Sequence, residues 1–272
     1  MHPPPTPEQI RLLFLGDIVG EAGRSAVIHQ LPGIRKEHAI DFVVVNGENA
    51  AGGRGITPKI AIDLLRAGAA VITTGDHAWD QREISPYFEE EPRLLRPLNY
   101  PPGTPGNGSI ILDTAKGKVG VLQVQGRTFM LPPLENPFLR IEEEIEKLRA
   151  ETVVLFVDMH AETTSEKIAM SRMLDGRVSA LVGTHTHVQT ADECIHPGGT
   201  AFLTDSGMCG PETSILGREI EPIIKRFQTS LPTRFPVARG PVRLCGAMID
   251  IDTATGKAVQ IERFSRLITN NS

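Results

Sequence analysis

Five short aliphatic runs, at residues 12–15, 42–45, 69–72, 152–157 and 178–182, each lead into side chains that bind metals or move protons. Those side chains belong to Gly-Asp at 16–17, Asn-Gly-Glu-Asn at 46–49, Gly-Asp-His at 75–77, Asp-Met-His at 158–160 and Gly-Thr-His-Thr-His at 183–187. Runs this short and this rich in β-branched residues read as buried parallel strands. Side chains just past the carboxyl ends of such strands converge on one crevice, where open α/β sheets bind ligands. Asp17, Glu48, Asn49, Asp76, His77, His160, His185 and His187 are therefore expected to meet there.

The pattern between the runs supports this. A helix is expected over 24–37 and another over 58–67, where Thr57 is suited to the N-cap and Pro58 to the first helical position. Strand alternating with helix argues for parallel βαβ units. Residues 96–108 hold four prolines and three glycines and read as a long loop; 109–113 and 118–123 read as a hairpin. An amphipathic helix with a solvated glutamate face is expected over 136–150, short strands near Thr200, a helix over 218–228, and two β segments at 242–251 and 258–264. The second half is thus expected to be richer in antiparallel pairing. Residues 1–10 read as a flexible tail and 11–272 as one α/β domain of two packed mixed sheets with helices outside.

Composition narrows the function classes. Net charge is −5 with scattered basic residues, so no nucleic-acid surface is indicated. No apolar run approaches the ~20 residues of a membrane span, and the proline-rich start lacks the regions of a signal peptide. Three widely spaced cysteines, Cys194, Cys209 and Cys245, read as reduced thiols in the cytoplasm.

Carboxylates and imidazoles mixed with an amide suit manganese, iron or zinc. Two such ions ~3.5–4 Å apart can share a carboxylate, activate a water and neutralise a phosphate in line with it. Taken singly, each element has a blander reading. Asp17 fits an N-cap, and Asn-Gly at 46–47 fits a turn. His185 and His187, two apart, lie on one side if the strand end is extended. His29, His38 and His196 are assigned no function.

The order of motifs resembles one family. Leu-Gly-Asp-Ile-Val-Gly at 15–20, Val-Asn-Gly-Glu-Asn-Ala-Ala-Gly-Gly at 45–53, Gly-Asp-His-Ala-Trp-Asp at 75–80, Gln-Gly-Arg-Thr-Phe at 125–129, Val-Asp-Met-His-Ala-Glu at 157–162 and Gly-Thr-His-Thr-His-Val-Gln-Thr at 183–190 are similar to those of the YmdB-like branch of the calcineurin-type metallophosphoesterases. The resemblance implies a four-layer αββα sandwich, two iron or manganese ions with zinc as a third candidate, and hydrolysis of 2′,3′- or 3′,5′-cyclic nucleotides by a metal-bridging hydroxide. It also implies a homo-oligomer, for which the sequence shows no coiled-coil pattern. Carried onto matching positions, Asp17, Asn49 and His187 hold the first ion, Asp76, His160 and His185 the second, Glu48 bridges both, and His77 is the unligated proton donor. That last role makes independent sense, because an ordinary histidine, with a pKa of ~6.5, can protonate a leaving alkoxide at neutral pH. The chain departs from the family at Asp76, where the family carries Asn.

Substrate contacts are less specific. Arg127 reads equally as a phosphate or nucleotide contact and as a surface or structural pair. Glu162 and Thr163 are placed to orient His160. Trp79 and Phe129 read as core residues, with base stacking as the alternative. Phosphomonoesterase or nucleotidase action uses the same residues, and a nucleotide-sensing regulator would keep the metal site with no need of His77.

Overall fold

The computed structural model describes residues 4–269. The chain runs β1 (Gln9–Leu15), β2 (Asp17–Ile18), α1 (Gly20–Glu37), β3 (Phe42–Asn46), α2 (Pro58–Ala67), β4 (Val71–Thr73), α3 (Ile84–Glu90), β5 (Ser109–Thr114) and β6 (Gly117–Gln125). It continues through α4 (Pro137–Arg149), β7 (Leu155–His160), α5 (Thr164–Met173), β8 (Ala180–Thr184), β9 (Cys194–Ile195), β10 (Ala201–Leu203), β11 (Met208–Pro211), α6 (Ile220–Thr229), β12 (Val242–Asp252) and β13 (Ala258–Ile268).

These strands form two mixed sheets. One is ordered β2-β11-β12-β1-β3-β4 with β13 beside β12; the other is β5-β6-β7-β8-β10-β9. Period-two alternation builds the layers. In β1, Ile10, Leu12 and Phe14 point between the sheets, where they pack with Val121, Phe156 and Val182. Leu13 and Leu15 point to the other side, against Val27 and Leu31 of α1 and Leu64 of α2. Behind the second sheet, Leu155 and Val157 meet Ile141 and Ile145 of α4 and Met170 of α5. The result is the αββα sandwich. Burying a side chain such as Ile141 or Ile145 contributes roughly 1.5–3 kcal/mol, which is what ties α4 to its sheet.

Several boundaries differ from expectation. β1 starts at Gln9 and Ile10 is buried, so the expected tail ends before residue 9; its residues 1–3 lie outside the described residues. α1 begins at Gly20, four residues early, and accommodates Pro32. The second half is richer in antiparallel pairing, as expected, through β9, β11, β12 and β13, but keeps a parallel centre of β6, β7, β8 and β10. Two helices, α3 and α5, and the short strands β2 and β11 had no sequence signal. The buried residues of α5 are Lys167, Met170 and Ser171, which is no apolar stripe, and β2 exists through its pairing with β11.

Candidate metal centre

Parallel strands of both sheets end at the same edge of the sandwich. β1 leads to Asp17, β3 to Glu48 and Asn49, β4 to Asp76 and His77; β7 ends on His160, and β8 leads to His185 and His187. Where β4 leaves the sheet, Gly75 passes so close to Glu48 and His160 that any Cβ there would collide with both. Glycine at 75 is therefore a requirement of the site, since it lets the backbone run against the functional side chains.

All eight expected residues come together. Candidate ligand atoms of Glu48, Asp76, His160 and His185 lie within 4.8 Å of one another, as do those of Asp17, Glu48 and His187. Glu48 is common to both sets. Asn49 Nδ2 donates to Glu48 Oε1 at 2.7 Å and lies 3.3 Å from His187 Nε2, so its amide borders the second set. His77 belongs to neither set; its Nδ1 is 3.2 Å from Asp80 Oδ2 and its backbone N–H is 3.5 Å from Glu48 Oε2.

The donor set fits metal ions. Asp17 Oδ1 is buried with no hydrogen-bond partner, an arrangement that is costly unless a cation satisfies it. Each of the three imidazoles turns one nitrogen to the sets and the other to an oxygen: His160 Nδ1 to Thr184 Oγ1 at 2.9 Å, His187 Nδ1 to Leu216 O at 3.1 Å, and His185 Nε2 to Glu162 Oε2 at 3.1 Å. Metal-binding histidines are oriented in this way.

The electrostatics of the metal-free cluster follow from burial and pairing. Burial drives the Asp17 carboxyl above its ordinary value, against the pull of His187. Burial would do the same to Glu48 and Asp76, but His160 outweighs it at Glu48, and hydrogen bonds from His160 and His185 outweigh it at Asp76, so both carboxyls are held low. His160, which burial alone would deprotonate, is raised well above the usual imidazole value by Glu48 and Asp76. Four acid and imidazole groups thus share protons that a cation would displace.

Behind this layer is a carboxylate that the sequence motifs give no role. Asp158, fully buried and pushed up to about 6, accepts from Thr73 Oγ1 at 2.6 Å, Asn46 Nδ2 at 3.2 Å and Thr184 Oγ1 at 2.6 Å. It thereby ties β3 and β4 of one sheet to β7 and β8 of the other. Asp80, which faces His77, likewise enters the sequence pattern only as part of a motif. The sequence signal for both was their place two or three residues from a functional histidine.

Three expectations need correction. His185 and His187 do not sit on an extended strand end: β8 stops at Thr184, and φ is +96° and +66° at the two histidines. The backbone turns there, so the imidazoles divide between the two sets instead of sharing a side. Glu162 meets His185 rather than His160, and Thr163 bonds Glu166 at 2.9 Å; Thr184 orients His160, because that ring points into the sandwich while Glu162 lies past the strand end. Trp79 does pack in the core, between Phe88 and Tyr100, but Phe129 is 87% exposed. Arg127 is exposed, which agrees with its surface reading; its backbone N–H donates to Glu166 at 3.0 Å and its carbonyl accepts from Met130. His29, His38 and His196 lie away from the cluster, with partners Ser25, Arg266 and Ser171.

Above the cluster is a cleft of ≈390 Å³ with a floor of Glu48, Asn49, His77, His185 and His187 and a wall of Leu216, Arg218, Ile223 and Phe227. The wall was missed, since nothing in the sequence links α6 to the strand ends. A larger hollow of ≈850 Å³, lined by Ile220, Lys225, Arg234 and Arg239, contains none of the converging residues, and chemistry favours the smaller cleft.

The chain and its fold are similar to known proteins. A family described as YmdB-like protein matches residues 13–264. A 2′,3′-cyclic-nucleotide 2′-phosphodiesterase of Bacillus subtilis (strain 168) is 50% identical over 254 residues, covering 93% of this chain and 96% of its own. The crystal structure of a hypothetical protein from Thermus thermophilus superposes with a TM-score of 0.87 at 40% identity, covering 95% of this chain and 100% of its own. That of a novel phosphatase from Mycoplasma pneumoniae gives 0.90 at 34% identity, covering 97% and 95%.

Proposed function

The chain belongs to the YmdB-like family, and on that footing we propose that it hydrolyses phosphodiesters, 2′,3′-cyclic nucleotides first among them, with two metal ions at the strand ends and His77 as proton donor. The observation that carries this is the pair of donor sets sharing Glu48, with His77 beside them and in neither. Asp17, Asn49 and His187 are assigned to one ion, Asp76, His160 and His185 to the other, and Glu48 to both. Iron or manganese, with zinc as a third candidate, suits these donors.

When bound, two such ions would supply an acidified water and neutralise the phosphate. The chain does the rest. The oxygens of Thr184, Leu216 and Glu162 are placed to hold the three imidazoles in the tautomer that would leave one nitrogen free for metal. Asp80 holds His77 through Nδ1, and His77, which lines the cleft, turns Nε2–H to the leaving ribose oxygen. Proton transfer of this kind contributes ~10²–10⁴-fold to the rate. Among the described residues no helix is long and apolar enough to cross a membrane, and Cys194, Cys209 and Cys245 are free thiols, which fits a cytoplasmic enzyme.

The test is hydrolysis of 2′,3′-cyclic AMP by protein stripped with chelator and reloaded with Mn²⁺. Metal-dependent turnover is expected, falling ~10²–10⁴-fold in His77→Ala while metal content is unchanged. Metal bound without turnover would sink the substrate assignment; full activity in His77→Ala would sink the proton donor.

A further inference from the structure

The cleft has two unlike sides. Its floor is carboxylate and imidazole; its wall holds Leu216, Ile223 and Phe227. Ile223 and Phe227 are four apart on α6 and share one face of the helix. Ile223 is buried, but Phe227, one turn farther along, is 82% exposed, and Leu216 is 46% exposed. A lone exposed apolar residue needs no explanation. Here two exposed side chains stand over one buried residue in the same cleft as the candidate metal ligands.

The wall is also fixed relative to the floor. His187 Nδ1–H donates to the Leu216 carbonyl at 3.1 Å, so the loop before α6 is bonded to a floor residue. Arg218, two residues before the helix, donates to the carbonyls of Gly53 and Phe235, linking that same loop to the segment carrying Asn49. A phosphate on the floor therefore shares its cleft with the aromatic side chain of Phe227, on the helix that this fixed loop leads into.

From this, and resting on the phosphodiester reading above, we infer that Phe227 is the stacking platform for the nucleobase of the substrate, with Leu216 and Ile223 completing its apolar seat. A cyclic nucleotide is two-faced in the same sense as the cleft: an anionic phosphate at one end, a flat π-system at the other. Stacking is tolerant of base identity because every base has a π-face, and Leu216, Ile223 and Phe227 carry no side-chain donor or acceptor to read a base edge. The enzyme consequently accepts purine and pyrimidine 2′,3′-cyclic nucleotides alike, and discriminates against five-membered cyclic phosphates that carry no base.

The experiment compares 2′,3′-cyclic AMP with glycerol 1,2-cyclic phosphate on the Mn²⁺-loaded wild type, Phe227→Ala and Phe227→Tyr. Because the ring is largely exposed, Phe227→Ala is expected to fold. Its kcat/KM on 2′,3′-cyclic AMP should fall about tenfold, within the range of lost base stacking. The loss should lie mainly in KM, with glycerol 1,2-cyclic phosphate unaffected, and Phe227→Tyr should restore the wild-type preference. Equal losses on both substrates, or a loss on neither, would overturn the inference while leaving the phosphodiesterase intact. If the wild type turned over neither compound, the phosphodiester reading would fall, and this inference with it.

Discussion

His160 and His187 both present Nε2 to the shared Glu48 region, but they are held in unlike ways. His160 is completely buried at the end of β7; its Nδ1–H donates to Thr184, whose hydroxyl donates in turn to Asp158. Asp158 is bonded across the sandwich to Asn46 and Thr73, so this half of the site is positioned by the packing of the two sheets. His187 sits after the strand has ended, with positive φ, and leans on the carbonyl of Leu216, itself at φ +50°. Residues with side chains are uncommon in that region and persist where the surroundings enforce it. The His187 half is thus held by a loop that also forms the substrate wall. His160 is set by the packing of the sheets, while His187 is coupled to whatever fills the cleft.

The largest expected effect that separates the halves comes from Asp158→Asn. In the native site Oδ2 accepts from Thr73, Asn46 and Gln123, and Oδ1 accepts from Thr184. With asparagine, the amide oxygen takes the three-donor position and the NH₂ faces Thr184. The Thr184 hydroxyl must then turn its proton to His160 Nδ1, and the imidazole proton moves to Nε2, where a metal lone pair is required. A partner of this kind is worth roughly 10–100-fold in metal affinity. Calorimetric titration with Mn²⁺ should show one ion weakened by that factor and the other unchanged. Equal weakening of both ions would break the comparison.

The difference between the halves also explains what the sequence could reveal. Asp17, Glu48, Asp76 and His160 were legible because a strand's end is a local pattern: an aliphatic run, then a ligand-type residue. The aliphatic runs of β1 and β3 marked them as buried strands for the same reason. The departure of His185 and His187 from extended geometry was not legible, because positive φ at a histidine follows from packing around the loop and carries no residue signal. Phe227 was invisible for a further reason. Its role depends on where α6 lies, and that is set by two side-chain-to-carbonyl bonds, from His187 and Arg218, spanning 29 and 165 residues of sequence. Phe129 was misjudged in the opposite direction, since an aromatic residue in a motif gives no sign of whether its loop faces inward.

Acid–base linkage gives a second, smaller contrast. In the metal-free protein His160 titrates well above the usual imidazole value because Glu48 and Asp76 favour its charged form. A raised pKa keeps the proton bound up to higher pH, so an ion entering this half must displace it. Affinity of the His160 half should therefore rise about tenfold per pH unit until that pKa is passed, then level off. In the other half burial raises the Asp17 carboxyl against the pull of His187. Mn²⁺ affinity measured from pH 6 to 8 should rise for the ion in the His160 half. That rise should belong to the ion that Asp158→Asn weakens; a pH-independent affinity there would contradict the assignment.

The smallest effect tests the charge of the centre as a whole. Asp17, Glu48 and Asp76 contribute −3 against +4 from two divalent ions, leaving +1; Asp76→Asn leaves +2. Asp76 lies 3.0 Å from His160 Nε2 and 3.3 Å from His185 Nδ1, within hydrogen-bonding reach of both imidazoles, so an amide at 76 can offer the same ligand oxygen without the charge. A phosphomonoester dianion gains more from the extra positive charge than a diester monoanion does. One more unit charge acting over ~7 Å in a water-like dielectric is worth about 0.6 kcal/mol, or about threefold. Asp76→Asn is accordingly expected to lower the ratio of diester to monoester hydrolysis about threefold, measured with 2′,3′-cyclic AMP against 3′-AMP at saturating Mn²⁺. An unchanged ratio would mean that Asp76 acts as a neutral oxygen ligand would. The advantage of aspartate at this position would then lie in its pairing with His160 and His185.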